Sequence, residues 1–153
     1  MGGERRVFAE NRKAFHDYHI EERYEAGISL LGSEVKAVRQ GRVNLRDSYV
    51  RIRDGEAYVV GMHISPYEKA SAFVPDPTRT RKLLMHRREI ERLMGKVQTE
   101  GYTIVPLSLY GKGRWIKLEI GLAKGKKLHD KREALRERAV RREIERTLKT
   151  KNR

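Results

Sequence analysis

The sequence predicts a mainly β fold: a small closed antiparallel barrel with two or three inserted helices, followed by a basic C-terminal tail. Three observations predict it. Short alternating apolar and polar runs are joined by hairpin signals, Asp54-Gly55 above all. The regular strand–helix alternation that a parallel α/β fold needs is missing. Positive charge is heaviest at the C-terminal end, where the apolar pattern of the body stops.

The elements follow in order. Residues 1–10 are polar and are expected to be mobile, outside the folded unit. From Tyr18 the pattern alternates, so that Tyr18, Ile20, Tyr24, Ala26 and Ile28 share one strand face, interrupted by Glu22. Ser33 opens a short helix over 34–40, which Gly41 ends. Residues 48–53 and 56–62 are two strands around Asp54-Gly55. Pro66, Pro75 and Pro77 make 65–82 a long loop, and Arg79, Arg81 and Lys82 make its end basic. Ile90, Leu93, Met94 and Val97 recur at helical spacing over 87–98, with Gly101 just beyond.

A second hairpin joins 102–110 to 115–122 across Gly111-Lys112-Gly113. In its second strand Ile116, Leu118, Ile120 and Leu122 line one face, and Trp115, Lys117, Glu119 and Gly121 the other. About six short strands thus surround one core. Closure removes exposed edges, and a five- or six-stranded barrel of the oligonucleotide-binding type over residues 11–123 fits the length.

Residues 124–153 differ. They hold 13 Lys and Arg against 5 Asp and Glu. The stretch 130–149 is rich in helix formers, but its apolar residues form no single stripe. Leu128, Leu135 and Ala139 fall on one side of a helical wheel; Val140, Ile144 and Leu148 fall roughly opposite. A helix packed on the body would show one apolar face. This tail is therefore expected to be disordered alone and to fold against something that surrounds it.

Composition bounds the function. The chain has 153 residues, enough for one domain. Its net charge of +14 points to nucleic acid as partner, with an anionic membrane surface as competitor. The split apolar residues of the tail argue against an interfacial helix, which needs a strong moment. No apolar run is long enough to span a bilayer. Met1-Gly-Gly-Glu-Arg-Arg has no apolar stretch behind it, so no secretory signal and a cytoplasmic protein are expected. With no cysteine, disulfides, thiolate zinc sites and Cys nucleophiles are excluded.

No catalytic constellation stands out. His16 and His19, with Asp17, Glu21 and Glu22 nearby, would point to opposite faces of a strand and complete no metal shell. The run from Gly121 to Lys127 resembles a phosphate loop, but one residue is missing between its glycines. Lys127 also stands where Ser or Thr must hold magnesium. Gly111-Lys112-Gly113 is a hairpin turn, since no helix follows. The six serines sit in no nucleophile elbow. No cofactor is expected. What does stand out is cationic: Arg79, Arg81 and Lys82 after a proline turn, and Lys112, Arg114 and Lys117 around Trp115. Lysine and arginine neutralise phosphates, and aromatic rings stack on unpaired bases. Trp115 by itself reads as core.

Read in order, these segments resemble the SsrA-binding protein family (small protein B). The resemblance runs through Asn11-Arg-Lys-Ala, Asp17-Tyr18-x-Ile20-x-Glu22, Glu25-Ala-Gly-Ile28, Gly32-Ser-Glu-Val-Lys36 and Asp47-Ser-Tyr49. It continues through Asp54-Gly-Glu56, Ile64-x-Pro-Tyr67, Asp76-Pro-Thr-Arg-Thr-Arg-Lys-Leu-Leu84, Glu100-Gly-Tyr-Thr103 and Leu107-Ser-Leu-Tyr110. Gly125-Lys-Lys-x-His129-Asp-Lys-Arg132 completes it. Each piece is weak; their joint order and spacing are specific.

The resemblance implies an oligonucleotide-binding-type barrel, no enzymatic activity, and a monomer that grips the tRNA-like end of tmRNA and acts on stalled ribosomes. The tail would enter the empty mRNA channel and become helical there. By motif position it implies tmRNA contacts at Glu25, Leu84 and Lys117, with Asn11, Lys13, Arg81 and Lys82 adding phosphate contacts. His129 would stack on a decoding-centre base, while Lys126, Lys127, Lys131 and Arg132 would meet small-subunit rRNA phosphates. Val140, Ile144 and Leu148 would lie in the channel. A structural ribosomal protein or a generic RNA chaperone is the alternative on composition alone.

Overall fold

A computed structural model describes residues 5–66 and 74–126. The described chain is mainly β, with three helices. In chain order it runs β1 (Arg5–Glu10), α1 (Arg12–Asp17), β2 (Tyr18–Ile28), α2 (Gly32–Arg39), β3 (Val43–Asn44) and β4 (Tyr49–Arg53). It continues with β5 (Glu56–Val60), β6 (His63–Ile64), β7 (Arg81–Leu84), α3 (Arg87–Glu100), β8 (Thr103–Lys112) and β9 (Trp115–Gly125).

Seven strands form one antiparallel sheet in the order β1-β8-β9-β2-β7-β5-β4, and β3 pairs with β6. The sheet curls around a core that includes Ala26, Val59, Leu83, Leu109, Leu118 and Ile120, all buried. The predicted closure is not realised. Strand β4 comes close to β8, whose Ser108–Lys112 half pairs with β1 and whose other edge pairs with β9. No ladder joins β4 to β8, so the sheet is not a closed barrel.

Local chemistry explains the hairpins and helix ends. Asp54 and Gly55 both have positive φ (52° and 76°), the geometry that lets two residues join right-twisted strands. Arg53 pairs with Glu56 across that turn. The second turn is tighter than the sequence suggests: Lys112 pairs with Trp115, leaving Gly113-Arg114 as the loop. Gly41 and Gly101, at φ 75° and 71°, stand just past α2 and α3.

Four expectations need correction. Residues 5–10 are an ordered edge strand on β8 rather than part of a mobile N-terminus. Residues 12–17 form α1, with Asn11 as its cap: its Oδ1 accepts the Ala14 amide at 3.2 Å. The long loop ends at Thr80 rather than Lys82, because Arg81–Leu84 is inserted as a strand between β2 and β5. Strand β2 does not keep one face, because its register with β9 shifts between Ile20 and Glu22. Beyond the bulge, Tyr24 and Ala26 face the core, whereas Tyr18 and Ile20 pack outside with Ala14, Leu107 and Ala123 beneath α1. A matching shift between Pro106 and Ser108 in β8 adds Leu107 to this outer cluster. Helix α1 thus covers one end of the outer sheet face and leaves the other end bare.

A buried ion cluster ties these parts together. Glu34 on α2 and Arg81 on β7 are 2% and 0% exposed. Glu34 accepts from Arg81 Nε at 2.8 Å and from Arg79 Nε at 3.0 Å. The Arg81 guanidinium also donates to the carbonyls of Met62, Arg79 and Pro77. Burial pushes the Glu34 carboxyl up, but hydrogen bonds from Arg79, the Leu31 amide and Arg81 outweigh it and hold the group below the usual carboxylate range. Its stabilisation is therefore present above the unfolded glutamate pKa and is lost as pH falls through the lower folded value. Glu34→Gln, which leaves a buried guanidinium short of its counter-charge, is expected to cost about 3 kcal/mol in denaturant unfolding at neutral pH. The gap to the wild type should shrink as the solution is acidified.

Candidate nucleic-acid interface

Residues opposite each other in a ladder point to the same side of a sheet. Leu84 pairs with Gly27, Gly27 with Lys117, Lys117 with Tyr110, and Tyr110 with Val7. This row crosses four strand junctions on the bare end of the outer face. Beside it, Glu25 pairs with Glu119 and Glu119 with Ser108. On β7 and β5 the same face carries Lys82 and Tyr58, which pair with each other, and Glu56.

Gly27 is needed at its place in the row. A Cβ there would stand 3.2 Å from Leu84 Cβ, a tight contact, so glycine keeps the strand surface open between Leu84 and Lys117. The result is a cleft of about 610 Å³ lined by Glu25, Glu56, Lys82, Leu84, Arg87 and Lys117 among others. A second concavity shares Glu25 and Lys117 and extends to Arg114 and Trp115 at the hairpin tip. Leu84 and Trp115 are 59% and 66% exposed, which makes them unpartnered apolar groups inside a charged surface. The reading of Trp115 as core is thereby corrected: it shares its face with Lys117 and Glu119, away from the aliphatic side of β9.

Electrostatically the face is mixed. Tyr110, buried beneath the Arg5 guanidinium at 3.7 Å, donates its hydroxyl to Glu25. That hydrogen bond, opposed by burial and aided by Lys112 and Lys117, holds the Glu25 carboxyl below its ordinary range. Burial and the Glu25 carboxylate push the Tyr110 hydroxyl upward. Glu119 is paired with Arg5 at 3.1 Å and Arg23 at 3.5 Å. Lys82 is paired with Glu56 at 3.0 Å.

The residues singled out from sequence therefore separate. Glu25, Lys82, Leu84 and Lys117 come together on this face. Arg81 does not: it is fully buried on the opposite side of β7, its guanidinium consumed by Glu34 and backbone carbonyls, and it cannot reach RNA phosphate. Asn11 is also buried, capping α1 and donating to the Pro106 carbonyl at 2.9 Å. Lys13, paired with Asp47 at 2.9 Å, sits in a separate hollow beside it. Lys126 reaches the Phe15 carbonyl at 3.3 Å at the α1 end of the sheet. Lys127, His129, Lys131, Arg132, Val140, Ile144 and Leu148 lie outside the described residues. The sequence reading missed Tyr110, Tyr58, Glu56 and Gly27; Gly27, a glycine interrupting a strand, and Glu56 with Tyr58, two residues apart on one strand face, carried a signal.

A small curled antiparallel sheet whose bare face sets cations, ionised carboxylates and exposed apolar groups side by side defines a nucleic-acid-binding class of protein. The chain belongs to the SmpB family, described as SmpB protein, which matches residues 8–150. It is 59% identical over 146 residues to the SsrA-binding protein of Carboxydothermus hydrogenoformans, covering 95% of this chain and 98% of that one. It is 61% identical over 149 residues to the SsrA-binding protein of a Roseiflexus species, covering 97% and 94%. A chain in the solved structure described as "tmRNA-SmpB: a journey to the center of the bacterial ribosome" is 51% identical with a TM-score of 0.66, covering 77% of this chain and 83% of that one. Among the described residues no helix is long and apolar enough to cross a membrane.

Removing the Tyr110 hydroxyl deletes the largest influence that keeps Glu25 ionised. Tyr110→Phe should leave the fold intact and raise the pH at which the Glu25 carboxyl titrates, as followed by carbon-detected NMR of labelled glutamate.

Proposed function

We propose that the protein is an RNA-binding accessory factor of trans-translation. It holds the tRNA-like domain of tmRNA on the β7–β2–β9 face, accompanies it to stalled ribosomes, and senses the empty mRNA channel with residues 124–153. It works as a cytoplasmic monomer and catalyses no reaction itself. The observation that carries this reading is the gathering of Glu25, Lys82, Leu84 and Lys117 around one cleft, in a chain so similar to one described with tmRNA and the bacterial ribosome.

The roles divide by chemistry. Lys117 makes no ion pair among the described residues and is available for phosphate. Leu84 packs under an unstacked base, and Trp115 offers a ring to another. Glu25, which phosphate would repel, accepts N–H donors from a base edge. Lys13 adds a peripheral phosphate contact. Lys126, Lys127, Lys131 and Arg132 meet small-subunit rRNA phosphates, His129 stacks on a decoding-centre base, and Val140, Ile144 and Leu148 line the tail's path in the channel. The fold fits the oligonucleotide-binding type in its curled antiparallel sheet with a ligand face on the middle strands.

The test is tmRNA binding by the full-length chain and by a chain ending at Lys131, over several salt concentrations. A contact set neutralising six phosphates would give a salt slope of about −4 to −5, so generic RNA binding fades quickly as salt rises. Specific tmRNA binding should persist at salt that strips arbitrary RNA, and truncation should spare it while abolishing tagging on stalled ribosomes. Equal loss of both activities would overturn the division between grip and probe. Lys117→Ala should weaken tmRNA binding and flatten the salt slope by about 1.

A further inference from the structure

The RNA-facing cleft repeats one small arrangement. Tyr110 on β8 donates its hydroxyl to Glu25 Oε2, and Glu25 Oε1 faces Lys112 Nζ at 3.7 Å. Tyr58 on β5 donates to Glu56 Oε2 at 2.8 Å, and Lys82 Nζ reaches Glu56 Oε1 at 3.0 Å. In both, a tyrosine holds one carboxylate oxygen and a lysine faces the other. Glu25 and Glu56 line the same cleft. Hydrogen bonds from Tyr58 and then Lys82 hold Glu56 below the ordinary carboxylate range, so it too is ionised at neutral pH.

We infer that Glu56, fixed by Tyr58, is a specificity-determining residue that masks Lys82 from bare phosphate, with Glu25 and Tyr110 doing the same beside Lys112. This rests on the reading of the cleft as an RNA site. A phosphate that approaches Lys82 also approaches Glu56, whose carboxylate the tyrosine hydroxyl keeps from swinging aside. Like charges then offset what the lysine contributes, and any RNA that brings phosphate alone is held weakly. A structured RNA that also presents N–H donors and an unstacked base meets Glu25 Oε1, Leu84 and Trp115 as well, and binds in spite of the mask. The face therefore discriminates through carboxylates that a purely cationic groove would lack.

The experiment compares full-length wild type, Glu56→Gln, Tyr58→Phe, the double variant Glu56→Gln with Lys82→Gln, and Glu100→Gln. The last makes the same charge change at the Lys96–Glu100 pair on α3, outside the cleft. The probes are an oligouridylate and tmRNA, each titrated over a salt series. Glu56→Gln should bind oligouridylate about 3- to 10-fold tighter at low salt. Its salt slope should steepen by about 0.7, one further phosphate on a single strand, and its preference for tmRNA should narrow. Tyr58→Phe should move the same way by less. The double variant should lose the gain, and Glu100→Gln should match the wild type. The inference is overturned if Glu56→Gln behaves as wild type, if Glu100→Gln gains as much, or if the gain survives loss of Lys82. A wild type that holds tmRNA no better than oligouridylate would instead sink the proposed function. The comparison of Glu56→Gln with Glu100→Gln on oligouridylate decides the inference in either case.

Discussion

The structure depends on one buried carboxylate. Glu34 takes hydrogen bonds from Arg79 and Arg81 and from the Leu31 amide, and thereby joins α2, the proline-rich segment and β7. Strand β7 has only four residues, yet it is the strand that links β2 to β5. Four residues, Arg-Lys-Leu-Leu, with no β-branched or aromatic side chain, have little strand preference of their own. The inward guanidinium of Arg81 has five donors to place, and it finds Glu34 and three carbonyls around it. That fit sets the register of β7, and the register sets its two outward residues, Lys82 and Leu84. The face that carries Lys82 and Leu84 is thus aligned from behind, by an ion cluster on the other side of the strand.

Seen from the front, the same face is not a simple basic patch. Its lysines and arginines are interleaved with Glu25, Glu56 and Glu119, and the carboxylates are held by tyrosine hydroxyls or paired with guanidinium groups. Surface ion pairs of this kind add little to stability. On the proposed reading their consequence lies in recognition, because a face of mixed sign rewards a ligand whose donors and acceptors match it and gives little to one that offers charge alone. The excess positive charge of the chain is carried elsewhere, most densely in residues 124–153.

Much of this could be read in the sequence where local chemistry decides. Asp54-Gly55, Gly41 and Gly101 mark backbone conformations that few other residues adopt, and the aliphatic face of β9 follows from strict alternation. The rest was decided by tertiary pairing. Strand β1 is charged and sits at an edge, so it resembles a polar terminus until β8 is beside it. The face change in β2 comes from one extra residue at Glu21, which alternation alone cannot reveal. At the site, parity was available and decisive for two residues. If Leu84 points to the ligand, Lys82 does too, and Arg81 must point inward with Leu83. Trp115 likewise follows Lys117 outward. Assigning Arg81 to phosphate and Trp115 to the core weighed residue type above position. Tyr110 had no local signature, because its hydrogen bond to Glu25 is made across strands, whereas Tyr58 stands two residues from Glu56 on one strand, a spacing that puts both on one face.

The placement of α1 would give the proposed division between grip and probe a geometric basis. The bulges at Glu21 and Leu107 turn Ile20 and Leu107 outward to join Ala123, and these residues seat α1 at the end of the sheet near Gly125. Gly121 permits the seat, since a Cβ there would come within 2.9 Å of both Ile20 and Leu107. Lys126 then closes onto the Phe15 carbonyl, anchoring the point from which the chain continues. Trp115 and the cleft lie toward the opposite end of the same strand. Ten residue steps at about 3.3 Å put roughly 30 Å between the two ends. An RNA held at the hairpin end, as proposed, would leave Lys126 uncovered, so one small sheet could occupy a structured RNA with one end and address a second surface with the other.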